Sequence, residues 1–207
     1  ICVLVNARQI YIFYLFFLKK SMKLKLLIYL FFTCFINMVL GQVSEVIEFE
    51  SANPFSMSDV ISRLEDQEKI KVFGKLTLPL KDNVEKLPLI IGVAGSLGWR
   101  EHHYDYLKMF QGEGYATFEL NSFKSRNITS TVGSQVEVTA SAMILDAYRA
   151  LEKLSNDPRI DKNRVSIIGW SLGGAVSLFS GWLPLRNAIT KNVSFASHLA
   201  FYPPCFI

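Results

Sequence analysis

Histidine and cysteine are scarce, three of each in 207 residues. Cys2 and Cys34 lie near the N-terminus, and Cys205 stands alone in the remainder. No intramolecular disulfide can therefore brace residues 42–207. Cysteine and histidine nowhere cluster at metal-ligand spacing, so neither a metal nor an organic cofactor is implied. Aspartate and glutamate are missing altogether from residues 172–207. A basic stripe is missing too. Of the 22 basic residues, five (Arg8, Lys19, Lys20, Lys23, Lys25) fall in residues 1–41, which hold no acid, leaving 17 against the 18 acidic residues. The formal charge of +4 thus belongs to the N-terminal segment, and no nucleic-acid partner is indicated. No Gly-x-x-x-x-Gly-Lys-Ser/Thr phosphate loop, internal repeat or low-complexity tract outside the leader occurs.

Two apolar runs open the chain, 10–18 and 24–40, separated by Lys19-Lys20-Ser21-Met22-Lys23. The sequence begins with Ile1, and Met22 is the better start. From it run a positive segment, an apolar segment and short residues up to Gly41, the pattern of a secretory signal cleaved before Gln42. Residues 1–21 then count as upstream sequence, 22–41 as the signal and 42–207 as the folded domain, placed in the periplasm or outside the cell. The alternative is an uncleaved anchor or a pair of spans, because the second run approaches the roughly 20 residues that a span needs. A membrane is a partner only in that case. Asn127-Ile128-Thr129 and Asn192-Val193-Ser194 match the N-glycosylation pattern, which matters only in a eukaryotic secretory pathway.

Residues 43–50 and 69–80 alternate polar and apolar as half-buried strands do. Ser56 or Ser58 caps a short helix over 58–64. Residues 87–94 (LPLIIGVA) form a nearly continuous apolar run, which marks a strand covered on both faces. A helix is predicted over 101–113, a strand over 115–120 and a polar loop over 121–133. Ala140, Met143, Ile144, Ala147, Leu151 and Leu154 recur at helical spacing within 136–154. A strand over 164–169, a helix over 172–182 broken by Pro184, and a strand over 195–201 complete the pattern. Strands alternating with helices predict an α/β fold, a mostly parallel sheet flanked by helices. Ligands bind such sheets at the C-terminal strand ends. Three turns should converge there: 95–99, 169–173 and 202–205.

The chemistry centres on Gly169-Trp170-Ser171-Leu172-Gly173, which follows Val165-Ser166-Ile167-Ile168. A Gly-x-Ser-x-Gly turn between strand and helix lifts a serine hydroxyl above the sheet, and its glycines avoid collisions with neighbouring elements. Serine is a weak nucleophile and needs a base. The expected order is Ser, then an acid, then His, yet only His198 follows Ser171, and it lies inside a strand pattern as a hydrogen-bonded core histidine would. His102 and His103 precede Ser171 and can line the pocket; as bases they would require an unusual order. The expectation is therefore a chain whose acid and histidine lie beyond Ile207. The N–H of Leu172 and one from the turn after the third strand, at Ser96 or Leu97, are candidate oxyanion donors. Trp99, Trp170 and Tyr202 are candidate pocket residues, although ordinary packing accounts for the tryptophans equally well.

Several stretches together resemble the dienelactone hydrolase family of α/β hydrolases: residues 90–99 (IIGVAGSLGW), 114–123 (GYATFELNSF), 142–151 (AMILDAYRAL), 157–174 (DPRIDKNRVSIIGWSLGG) and 198–205 (HLAFYPPC). They cover residues 70–207 in family order. The resemblance implies an α/β-hydrolase fold, hydrolysis of a small-molecule ester or lactone, and a nucleophile at Ser171, which is cysteine in the founding enzymes and serine in many relatives. Relatives commonly carry His-Gly-Ser-Gly-Gly after the third strand, where this chain has Ala94-Gly95-Ser96-Leu97-Gly98. The resemblance places the acid and histidine beyond Ile207. Two other readings stand beside the esterase: a non-catalytic hydrolase-like binding or membrane-tethered protein, and a peptidase-like relative.

Overall fold

A computed structural model of the protein describes residues 43–79 and 85–205. The signal or anchor expected within residues 1–41 lies outside the described residues.

The sheet is built around β3, Leu87–Val93, whose side chains are almost all buried. Its partners are β4 (Ala116–Leu120) and β5 (Ile160–Trp170), both parallel to it. Outside β4 lies β2 (Lys69–Leu78), then β1 (Val43–Ala52), each pairing antiparallel; outside β5 lies β6 (His198–Phe201), parallel. Among the described residues the order is thus β1-β2-β4-β3-β5-β6. The expected mostly parallel sheet is present, with an antiparallel flank supplied by the two alternating segments.

The pleat assigns the two faces. Leu89, Ile91 and Val93 of β3, with Val165 and Ile167 of β5, pack under α3 (Ala140–Ser155), α4 (Leu172–Phe179) and α5 (Leu183–Ile189). Ile90, Ile168 and Trp170 face the other way, against Leu107, Tyr106 and Phe110 of α2 (Glu101–Gly112). Coverage on both faces is what a continuous apolar strand requires. The short α1 (Met57–Ser62) is capped by Ser56, whose hydroxyl accepts from Asp59 N–H at 3.2 Å.

Several boundaries differ from the sequence reading. The helix expected from residue 136 starts at Ala140, because the Thr139 hydroxyl caps it at Ala142 N–H (3.0 Å) while donating to Pro54 O (2.7 Å). β5 begins four residues early, at Ile160. The polar residues ahead of the expected strand, Asp161, Lys162 and Asn163, are also extended, with Arg164 bridging Asp161 (2.6 Å) and Lys86 O (2.9 Å). The helix expected over 172–182 stops at Phe179, and Pro184 opens α5 rather than only ending α4, since proline fits the first helical turn. β6 covers only 198–201 of the expected 195–201.

Candidate functional site

Ser171 sits between the end of β5 and the start of α4 with φ 54° and ψ −116°. That conformation is off the ordinary map for a side-chain-bearing residue and costs on the order of 1–3 kcal/mol. The surroundings enforce it. A Cβ on Gly169 would lie 1.8 Å from Gly173 O, and one on Gly173 would lie 2.2 Å from Val93 O. Strand, turn and helix therefore pass each other at distances only glycine permits. The Ser171 N–H donates to Phe201 O at 3.0 Å, and Ser171 O accepts from Ala175 N–H at 2.9 Å. These bonds tie the turn to the end of β6 and to the first turn of α4. Leu172 is the first residue of α4, so its N–H lies among the amides left without an intrahelical acceptor at the positive end of the helix.

The turn after β3 meets the same place. Gly95 packs so closely that an added Cβ would stand 3.0 Å from Trp170 O and 3.4 Å from the Ser171 Cβ. Gly98 N–H closes the turn on Gly95 O at 2.9 Å, with Gly98 at φ 73°. The Ser96 and Leu97 N–H groups donate to no described group. The turns 95–99 and 169–173 and the segment after β6 thus converge as their positions at C-terminal strand ends require.

The candidate pocket residues separate. Trp99 lines a cavity of about 180 Å³ together with Ala94, Leu97, Phe123, Ile128 and Met143. Its ring stacks on Tyr104 (centroids 5.4 Å apart) and its Nε1 donates to Leu120 O at 3.0 Å. Trp170 is 1% exposed and is packing rather than pocket wall: it is sandwiched between His103 (4.5 Å) and Phe201 (6.0 Å). The sequence could not distinguish these cases, because both tryptophans flank a site turn and only the pleat turns Trp170 inward. Tyr202 is exposed and away from the cavity lining; it follows β6 at φ 38°, with its hydroxyl 3.5 Å from His102 Nε2.

None of the three histidines hydrogen-bonds to Ser171. His103 is 3% exposed, accepts the Arg100 N–H at Nδ1 (3.2 Å) and starts α2. Burial first, then the neighbouring His102 and Arg100, push its pKa down to about 4, so it is neutral near pH 7. His198 pairs with Ile167, four residues before Ser171 and so roughly 13 Å below it along the strand. Its Nδ1 lies 2.9 Å from Ser177 O and 3.0 Å from Ser180 Oγ. The carbonyl can only accept, so the proton is on Nδ1. His198 is hydrogen-bonded as expected but exposed rather than in the core, because β6 is the edge of the described sheet.

A buried ion pair was not foreseen. Arg126, in the polar loop, makes two bonds to Asp146 of α3, at 2.7 and 3.1 Å, with side chains 5% and 0% exposed. Ser51 Oγ adds a 2.5 Å bond to the same carboxylate, and Arg126 also reaches Asn53 and Ala52 O. The available signal was one acid, Asp146, within the apolar run Ala142–Ala150. The pair anchors the 121–133 loop beside the turn after β3. Among the described residues no group of His, Cys, Asp and Glu is arranged to hold a metal.

A family model described as acetyl xylan esterase (AXE1) matches residues 63–203. Among solved structures, the chain is similar to the esterase Est22 (20% identity, TM-score 0.48), covering 71% of this chain and 40% of that one. It is similar to the α/β hydrolase GrgF from Penicillium sp. sh18 (18% identity, TM-score 0.47, 67% and 41% covered). A dienelactone hydrolase-like promiscuous phosphotriesterase from metagenomic libraries is a third (15% identity, TM-score 0.44, 68% and 54% covered). The chain spans about half the length of such structures or less. No curated protein sequence matches it significantly.

Proposed function

Since the chain belongs to the acetyl xylan esterase (AXE1) family, we propose that it is the nucleophile-bearing part of a serine hydrolase of carboxylic esters. The observation that carries this reading is Ser171 at φ 54° and ψ −116° between two glycines that admit no side chain. A fold tolerates such a conformation where it aims a side chain, and here the side chain is a hydroxyl at the mouth of a parallel sheet.

In the proposed reaction the Ser171 hydroxyl attacks the ester carbonyl while a base takes its proton. The Leu172 N–H and one from Ser96 or Leu97 receive the charge that develops on the carbonyl oxygen; one such donor is worth roughly 10²–10³ in kcat. The alcohol leaves with the proton, and water then releases the acid from the acyl-serine. The reading places the base and its acid partner in sequence beyond Ile207. The substrate class is a short acyl ester or a lactone, with an acetyl ester the first choice from the family. The leader supports export to the periplasm or the exterior.

A second reading, a hydrolase-like binding protein, is favoured by Ala94 standing where relatives carry histidine. A single assay separates the two. The full-length protein should release acetate from p-nitrophenyl acetate, and Ser171→Ala should lower kcat by at least about 10³-fold. Unchanged turnover in that variant removes the serine mechanism; no turnover in the unmodified protein favours the binding reading.

A further inference from the structure

The turn after β3 is held by a second segment that the proposed mechanism does not use. Ser96 O accepts the Thr131 N–H at 2.8 Å and the Ser130 hydroxyl at 3.1 Å. Ser130 is itself fixed, since its Oγ also accepts the Val132 N–H at 3.1 Å. The two segments nest: a Cβ on Gly98 would stand 3.2 Å from Thr129 O. The loop that supplies these donors is anchored from behind by Arg126 on buried Asp146.

Peptide geometry turns those contacts into an orientation. The described peptides are all trans, so each carbonyl points opposite to the N–H of the same peptide. Gly95 O is taken by Gly98 N–H, which directs the Ser96 N–H out of the turn. Ser96 O is taken by Ser130 and Thr131, which directs the Leu97 N–H to the face away from residues 130–131. Both N–H groups are without a described acceptor. The central peptide of a β-turn is the one that differs between types I and II, which place its carbonyl on opposite faces. Leu97, at the third position, has no positive φ, which excludes type II, and the two donors on Ser96 O hold the central peptide in the remaining orientation.

We infer that Ser130 is a positioning residue for the oxyanion turn: its hydroxyl, with the Thr131 N–H, locks the Ser96–Leu97 peptide so that the free N–H groups meet the transition state already oriented. Such donors stabilise developing charge most when no reorganisation accompanies the reaction. The inference rests on the ester-hydrolase reading and assigns Ser130 no contact with substrate.

The test uses the full-length protein, a short acyl ester, and phenylboronic acid as a tetrahedral mimic. Ser130→Ala should lower kcat about tenfold, a fraction of the roughly 10²–10³ lost with a whole donor, and leave KM within twofold. Its affinity for the boronic acid should fall by a similar factor. Ser130→Thr keeps the hydroxyl and should restore both. The clamp is overturned if Ser130→Ala keeps kcat within twofold, or if KM and melting temperature move while kcat at 25 °C does not. Ser171→Ala in the same assay keeps the two levels apart: turnover that survives it removes the esterase reading, whereas a flat Ser130 series beside a dead Ser171→Ala removes only the clamp.

Discussion

Ser171 carries its proposed function and its strain in the same dihedral angles. At φ 54° and ψ −116° any side chain is disfavoured, and only glycine occupies such a conformation freely. Ser171→Gly should therefore raise stability by about 1–3 kcal/mol in denaturant unfolding while abolishing turnover, whereas Ser171→Ala should abolish turnover with stability nearly unchanged. Equal stability in the two variants would show that the backbone there is unstrained. The strained turn at Ser171 was legible in Gly169, Ser171 and Gly173, because steric demands at a tight turn leave a local signature. Which tryptophan meets the cavity was not, because Trp99 and Trp170 differ only in the direction the sheet turns them.

At the scale of elements, the loop 121–133 matters most. It looks solvated in sequence, yet it inserts Arg126 beneath the sheet's edge to meet Asp146 on α3. Removing one partner of a buried pair strands the other. Arg126→Met and Asp146→Leu singly should each cost about 3–5 kcal/mol, and the double variant should recover much of that loss. Additive losses in a double-mutant cycle would count against direct coupling. The pair escapes sequence reading because its members are 20 residues apart in different elements. Element types were mostly legible and element ends less so. β5 holds its polar start, residues 161–164, through bonds to residues distant in sequence, and Pro184 reads equally as an end or a beginning until α5 is seen packed on the core.

For the whole molecule, His103 links stability to pH. Its folded pKa of about 4 lies below the ordinary histidine value of 6.5, so the unfolded chain binds the extra proton. The stability contribution is complete above pH 6.5 and is lost as pH falls toward 4, by up to about 3 kcal/mol. His103→Asn should be less stable at pH 7 yet lose less between pH 6.5 and 4; parallel melting curves against pH for the two proteins would refute this. The leader makes a separate prediction about the mature chain. Expressed from Met22 in a secreting host, the protein should begin at Gln42 by N-terminal sequencing; a retained residue 22–41 segment in the membrane fraction would instead support the anchor.

The sequence by itself determined the α/β alternation, the central buried strand and the serine at its turn, because periodicity and glycine placement are local consequences of backbone sterics and burial. Tertiary structure alone decided what surrounds that serine. It turned His103 and Trp170 into packing, set His198 far below the mouth, and brought Ser130 and Thr131 onto the Ser96 carbonyl. Those outcomes depend on strand register and on which loop folds over which strand end. Such contacts join residues that share no periodicity, so no pattern along the chain records them.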